Sequence, residues 1–402
     1  MSENKGESGA LDGLTVLDLT RVLAGPFCSM LFADMGANVI KIEEPSKGDD
    51  TRGMGPFKNG ESAYYMNLNR NKKGVTLNLK NPKGKKIFLD LVKKADVVLE
   101  NYRPGVMEKL GLGYDALKEI NPRIIYGAVS GFGHTGPYTQ RPGYDIIAQA
   151  MSGLMSTTGW PGGSPTRTGT AIGDVLGGLS LAVGIFSAIY RQNRTGLGQK
   201  VDISLVDSTV ASLEIINMIY TIEGRLPGRI GNRYESTYPY DSFKAADGEL
   251  VIGAGNNKLW QKLCDIMNRP ELKEDPRYLN VRDRVERHAE VKTVIDGWIA
   301  PMTADDVLKR LDDAGIPCAP IYDIRQVVED PHIAGAREMF VEMEHPVAGK
   351  IKLTGSHIKL SATPSSIRTS SPSLGQHNEE VYGEYLGLSP EELSTLKQEG
   401  AL

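Results

Sequence analysis

The chain has 402 residues, enough for about two to three domains and a large core. Hydrophobic residues make up 40% and charged residues 24%, the composition of an ordinary globular protein. A net charge of −4 gives no general affinity for nucleic acid or an anionic membrane, so any basic site has to be local.

The first residues, MSENKGESGALDG, are polar and lack an apolar signal region, so neither secretion nor membrane anchoring is indicated and a cytoplasmic protein is expected. Residues 14–19 are a short apolar run suited to a buried strand, 26–35 a helix with Pro26 at its first position, and 37–42 a second strand. A second unit of this kind has strands at 75–79 and 97–99 around a helix that starts at Asn81-Pro82 and runs through Lys94. A strand at 124–129 and a helix at 144–155 continue the alternation. Parallel strands with crossover helices predict a doubly wound α/β domain that binds ligands outside the carboxyl ends of its strands. The turn after the first strand, TRVLAGP from Thr20, lacks the G-x-G-x-x-G of nicotinamide or flavin sites. It still presents a helix N-terminus suited to an anion or a carbonyl oxygen.

Asp174 is the only charged residue between Arg167 and Arg191. An isolated buried carboxylate costs several kcal/mol or raises its pKa, so it calls for backbone N–H partners or a function. Gly169, Gly173, Gly177 and Gly178 are expected to let the backbone approach closely and to leave room for a ligand. Asp174 reads either as the N-cap of a helix over 175–190 or as a carboxylate nucleophile, and the two roles are compatible. At 16 residues with three glycines, that helix falls short of the roughly 20 residues a bilayer needs.

A strand is expected at 200–204, a helical region at 205–222 and a domain boundary in the connector 223–234. Residues 240–244 and 250–252 around Ala246-Asp247-Gly248 predict a β-hairpin, and helices follow at 258–267 and 303–314, the latter capped by Thr303. This pattern divides the chain into a large domain, 1–222 with 330–402, and a small α+β domain, 223–329. The tail, rich in Pro, Ser and Thr at 363–373, ends in a helix capped at Ser389 and is expected to return to the first domain.

Cys28, Cys264 and Cys318 lie far apart in apolar contexts and read as free thiols, and the six histidines show no metal-ligand pairing. Eight lysines between Lys72 and Lys94 form a basic cluster that reads mainly as a solvated face, with one or two left to touch a ligand. The stretch from Glu100 to Gly111 follows a strand end and carries Asn101, Tyr102, Arg103 and Lys109. These are the group types that an adenine ring and phosphates require.

The segments 11–26 (LDGLTVLDLTRVLAGP), 36–43 (GANVIKIE), 95–101 (ADVVLEN), 143–145 (GYD), 173–174 (GD) and 314–320 (AGIPCAP), with 330–332 (DPH), together resemble the class III CoA-transferases. That family groups formyl-CoA and carnitine CoA-transferases with α-methylacyl-CoA racemases. The resemblance runs from Leu11 to about Tyr385. It implies an α/β fold with a Rossmann-like large domain of parallel sheet built from both chain ends, a smaller α+β domain, and a homodimer of interlocked rings. It also implies that Asp174 attacks an acyl-CoA thioester, giving an acyl-aspartyl anhydride and then an aspartyl-CoA thioester. Coenzyme A and acyl-CoA are then substrates, and no permanently bound cofactor, nucleic acid or membrane is expected.

By the same resemblance, CoA contacts fall on Val22, Leu23, Ala24, Leu77, Lys80, Asn101, Tyr102, Arg103, Lys109, Leu110 and Tyr144. A substrate loop corresponds to Gly253, Gly255 and Asn256. Leu23, where formyl-CoA:oxalate transferases carry Gln, and Glu44, in place of a CoA-contacting Arg, set oxalate aside. They leave a small dicarboxylate such as succinate, glutarate, mesaconate or citramalate, with Arg21 and Arg167 as carboxylate partners. Two alternatives remain at this point: a racemase, which needs a His–Asp pair where this chain has Tyr144 before Asp145, and a catalytically silent CoA-binding protein.

Overall fold

The computed structural model describes residues 9–402, so most of the polar N-terminal stretch behind the targeting expectation lies outside the described residues. The chain divides into two units. The first comprises the chain up to Leu154, Arg167–Met218 and Pro331–Leu402; the second comprises Met155–Thr166 and Ile219–Asp330. Residues 155–166, assigned from sequence to the large domain, thus group with the smaller unit.

The large unit is built on strands β1 (Thr15–Asp18), β2 (Asn38–Glu43), β3 (Lys73–Thr76), β4 (Val97–Glu100), β5 (Ile125–Ser130) and β6 (Lys200–Ser204). They form one six-stranded sheet in the order β3-β2-β1-β4-β5-β6, with every neighbouring pair parallel. This is the Rossmann strand order, whose direction of progression reverses between β1 and β4. The principal helices around the site are α1 (Ala24–Asp34), α2 (Pro82–Val92), α3 (Asp145–Met151) and α4 (Ile172–Thr195).

Successive strand side chains point to opposite faces, so each strand feeds two cores. Leu17, Ile40, Val98 and Tyr126 pack with Phe88 and Leu91 of α2 and with Val381 and Tyr382 near the chain's end. Val16, Val39, Val97 and Ile125 pack instead with Phe32 of α1 and with Leu181 and Ile185 of α4. Each buried aliphatic or aromatic side chain contributes about 1.5–3 kcal/mol, and the apolar runs that predicted the strands are the same residues. The segment after Pro331 closes the edge of β3, where Thr76 donates its N–H to Asn378 and Tyr382 donates its hydroxyl to the Thr76 carbonyl.

The interior also holds charge. Lys72 Nζ lies 3.1 Å from Asp18 Oδ2, and Lys41 Nζ lies 2.7 Å from Asp49 Oδ2, all four side chains being buried. Burial opposes ionisation of Asp18, but Lys72, Lys41 and the Ser29 and Thr20 hydroxyls outweigh it and hold the carboxyl at about 2. Lys72 therefore leaves the solvated lysine face expected from sequence and becomes a core ion-pair partner.

Helix α4 has 24 residues and is long and apolar enough to cross a membrane, which removes the length argument made from the sequence. Its core-facing side is occupied by the sheet and α1. The helical region 205–222 is broken, with Leu205–Ala211 and Glu214–Glu223 bent by 76°. In the smaller unit, β7 (Tyr240–Lys244) and β8 (Glu249–Gly253) form the antiparallel hairpin, and β9 (Cys318–Pro320), too short to stand out in the sequence, pairs antiparallel with β8. Trp260, Leu263, Ile295, Val307 and Leu311 form the core of that unit.

Candidate active site

Open α/β sheets bind ligands at the carboxyl ends of their strands, where the strand order reverses. In this chain that point lies between β1 and β4, and the segments leaving those strands are the Thr20–Leu23 turn and the loop beginning at Asn101. Val22, Leu23, Ala24, Asn101, Tyr102, Arg103, Tyr144 and Asp174 line one pocket there, of about 160 Å³. Leu77, Lys80, Tyr102 and Leu110 line an adjacent cleft of about 590 Å³. Arg21, Asp50 and Tyr102 border both, so the two run together. The Arg21 guanidinium is 3.2 Å from Asp50 and 5.7 Å from the centre of the Tyr102 ring.

Asp174 does not cap its helix. The N-cap of α4 is Ala171, which offers no side-chain hydrogen bond, and Asp174 stands in the first turn. The helix starts early because a tertiary partner replaces the cap: Asp145 Oδ1 accepts the Gly173 N–H at 2.8 Å, and Asp145 Oδ2 accepts Gln149 Nε2 at 2.7 Å. The Asp174 carboxylate makes no hydrogen bond or ion pair among the described residues. Burial, reinforced by the Asp145 charge, raises its carboxyl to about 7. The first-turn position partly offsets this, since a helix N-terminus favours negative charge.

Three of the four glycines flanking Asp174 serve packing, not ligand space. A Cβ at Gly173 would lie 3.1 Å from Asp145 Oδ1 and Thr209 Oγ1, one at Gly177 2.5 Å from Leu205, and one at Gly178 2.6 Å from the Ala24 carbonyl oxygen. Gly169 alone has open space. Gly178 lies one turn beyond Asp174, on the same helix face, so its contact with Ala24 fixes how α4 meets the turn after β1.

Residues that sequence reasoning did not single out complete the surroundings. Tyr64 is half-buried, and burial followed by the charges of Asp174, Asp49 and Asp145 raises its phenol to about 12. Nothing in its local sequence marks it. Asn101, expected to meet ligand, has both ends of its amide on Arg21: Oδ1 accepts the Arg21 N–H at 2.9 Å and Nδ2 donates to the Arg21 carbonyl at 2.6 Å.

Lys109 and Arg167, also expected at the site, stand apart from it. Lys109 is exposed at the end of a short helix and lines neither pocket, although Val106 and Leu110 on the same segment do. Arg167 is exposed, and its one hydrogen bond is to the Thr170 carbonyl. Gly253, Gly255 and Asn256 belong to the smaller unit. There Gly253 ends β8, Gly255 packs against Thr237, and Asn256 caps the helix Asn257–Ile266. Of the basic run, Lys73, Lys83, Lys86 and Lys93 are ion-paired, while Lys80 faces the larger cleft.

Comparison with known proteins identifies the family. The signature of CoA-transferase family III spans residues 11–378. The chain belongs to CoA-transferase family III. It is 43% identical to the acetyl-CoA:oxalate CoA-transferase of Acetobacter aceti over 88% of this chain and 90% of that one. It is 39% identical to the succinyl-CoA--D-citramalate CoA-transferase of Chloroflexus aurantiacus over 96% of each. A crystal structure of a CAIB/BAIF family protein from Brucella suis superposes with a TM-score of 0.82 at 35% identity, covering 94% of this chain and 100% of that chain.

Membership of family III accounts for a Rossmann strand order without a dinucleotide fingerprint. Among the described residues no histidine lines the pocket that holds Asp174, and the position before Asp145 is Tyr144.

Proposed function

We propose that this family III CoA-transferase moves CoA from an acyl-CoA donor to a small dicarboxylic acid, with Asp174 as the covalent nucleophile. The observation that carries this reading is the placement of Asp174: a carboxylate with no hydrogen-bond partner, in one pocket with the turn after β1 and the loop after β4. A carboxylate committed to structure would be tied to backbone N–H groups, as Asp145 is.

The ionised Asp174 attacks the thioester carbonyl, forming an acyl-aspartyl anhydride and releasing CoA thiolate. The thiolate attacks the aspartyl carbonyl of the anhydride, giving aspartyl-CoA thioester and the free donor acid. The acceptor carboxylate attacks that thioester, and the released thiolate takes the new acyl group, regenerating Asp174. The first-turn amides of α1, which no side chain caps, are placed at this pocket to stabilise the developing oxyanion.

The larger cleft suits the nucleotide end of CoA, with Leu77 and Leu110 against the ring, Lys80 for phosphate and Lys109 at the rim. Val22, Leu23, Ala24 and Tyr144 then surround the thioester. CoA and acyl-CoA are substrates in this scheme, and no resident cofactor takes part. Gly253, Gly255 and Asn256 are assigned to a loop closing over the intermediate on family resemblance alone. The same resemblance suggests an interlocked homodimer, and exposed Val183, Tyr190, Ile222 and Leu226 supply apolar surface for one.

The named acceptors of the relatives, oxalate and D-citramalate, are both dicarboxylates. Leu23 set oxalate aside, yet the Acetobacter aceti relative returns it to the acceptors worth testing. The test is a screen of succinyl-CoA and acetyl-CoA against oxalate, glutarate, mesaconate and citramalate, read by mass spectrometry of the CoA esters. Absence of any exchanged ester would sink the reading. The racemase alternative is tested by a chirally pure 2-methylacyl-CoA in deuterated water, where deuterium at Cα would favour it.

A further inference from the structure

The turn between β1 and α1 contains a backbone conformation its residue does not favour. Val22 has a φ of 68°, in the left-handed region, where a β-branched side chain is an outlier. Three of the other non-glycine residues with positive φ are Asn59, Asn71 and Asn268, of a type that tolerates it. Such strain persists only where the surroundings over-determine it, and it concentrates at functional sites.

The surroundings here are specific. The Val22 N–H donates to Asp49 Oδ1 at 3.2 Å. The preceding residue, Arg21, has its N–H and its carbonyl both held by the Asn101 amide. The carbonyl of Thr20 accepts Lys41 Nζ. Three consecutive residues thus have backbone groups bonded to side chains of Lys41 in β2, Asp49 in the segment after it and Asn101 just past β4. Asp49 is itself immobilised: it accepts Lys41 Nζ at 2.7 Å, the Thr51 N–H at 2.9 Å and the Thr51 hydroxyl at 2.8 Å.

The turn these groups hold lies in the pocket of Asp174. Gly178, on the Asp174 face of α4, presses against the Ala24 carbonyl immediately after the turn. A change in the Arg21–Val22 peptide therefore alters how Leu23 and Ala24 stand relative to Asp174.

We propose that Asn101 and Asp49 are positioning residues: they clamp the Arg21–Val22 peptide in its left-handed geometry and thereby hold the Leu23–Ala24 end of the turn where acyl transfer to Asp174 requires it. Their side chains serve the backbone of the turn, not the ligand. This inference rests on the CoA-transferase reading given above for its kinetic consequence, and on the turn geometry alone for its structural one.

The test compares Asn101→Ala and Asp49→Asn with the unaltered enzyme. Dissociation of CoA is followed by calorimetry and transfer by ester exchange. The expected result is a kcat lower by about tenfold, the rate equivalent of a left-handed backbone penalty, with CoA affinity changed less than about twofold. CoA affinity that falls as far as kcat/KM would show a direct ligand contact and overturn the proposal, as would an unchanged kcat. Asp49→Asn leaves Lys41 buried without its partner and is at risk of unfolding, so the half-buried Asn101 carries the test if it does. In a Val22→Gly background the left-handed penalty disappears, and Asn101→Ala should cost kcat less than about threefold; an undiminished cost argues against the clamp. Hydrogen exchange of the 20–25 peptide, read by mass spectrometry, is independent of activity. Faster exchange in Asn101→Ala supports the clamp, and unchanged exchange removes it even if the unaltered protein transfers nothing, a result that would instead count against the transferase reading.

Discussion

Asp145 accepts the backbone N–H of Gly173 at 2.8 Å, which sets one carboxylate against the residue immediately before another, Asp174. The first carboxylate accepts two hydrogen bonds and shapes the start of α4. The second has none and is raised to about 7 by burial and by the charge of the first. A nucleophile must be ionised, so the pair makes activity depend on pH near neutrality. Transfer should rise with pH, and kcat/KM should reach half its plateau near pH 7. Asp145→Asn removes the like charge and should move that midpoint to lower pH; a midpoint that stays in place or rises would show that Asp145 does not act on Asp174.

Replacing the nucleophile separates chemistry from binding. Asp174→Asn should lower kcat by at least about 10³-fold, the scale on which covalent nucleophiles are lost. CoA should still bind, since the contacts proposed for it lie on other segments. Mass spectrometry of the intact protein after incubation with acyl-CoA should show an adduct only in the unaltered enzyme, and an adduct in the variant would remove Asp174 from this role.

Gly178 should not accept a side chain. Glycine to alanine inside a helix ordinarily gains up to about 1 kcal/mol, but here the new Cβ would meet the Ala24 carbonyl at 2.6 Å. Overpacking against backbone outweighs that gain, and Gly178→Ala should destabilise by about 1–3 kcal/mol in denaturant unfolding. Gly169→Ala, with open space around it, should change stability by less than about 0.5 kcal/mol. Equal effects at the two sites would contradict the packing of α4 on α1.

Lys80 faces the larger cleft without an ion-pair partner among the described residues, whereas Lys109 lines neither pocket. Lys80→Ala should weaken CoA binding more than Lys109→Ala, and raising the salt concentration should shrink the difference. Calorimetric titration at two ionic strengths measures this; a larger loss from Lys109→Ala would move the phosphate position outward.

Glu100, at the end of β4, is buried beside Tyr126 and His134, and it accepts the Tyr102 N–H at 2.8 Å. Burial raises its carboxyl from 4.5 to about 7. The folded state therefore binds the proton more tightly than the unfolded state. Glu100 favours folding below the unfolded value, and that contribution is lost as pH rises from about 4.5 through 7. Glu100→Gln, which stays neutral, should match the unaltered protein near pH 4.5 and exceed it by about 2–3 kcal/mol at pH 8. A difference that does not vary with pH would mean that the carboxyl titrates normally.

Much of this molecule is legible in its sequence. The strand residues announced themselves because β1, β2, β4 and β5 are buried on both faces and so read as apolar runs. Asp174 stood out because an apolar helix tolerates a lone charge only for a reason. Its role as a cap was misread because the partner that starts α4 is Asp145, 28 residues earlier in the chain. Lys72 looked like one more solvated lysine because its partner Asp18 is 54 residues away. The left-handed Val22 was invisible for a similar reason: the groups holding it come from the ends of other strands. Interactions local in sequence left a signature, and those made by the fold across long separations did not.

The return of Pro331–Leu402 to the large unit has a consequence for the making of the protein. The edge of β3 finds its partners only in residues such as His377, Asn378 and Tyr382. During synthesis the sheet begun by the first strands must wait, its edge bare, while the whole of the smaller unit emerges. The middle of the chain is thus free to fold before the beginning, and until the final segment arrives the bare edge of β3 is the kind of template on which strands of other chains pair.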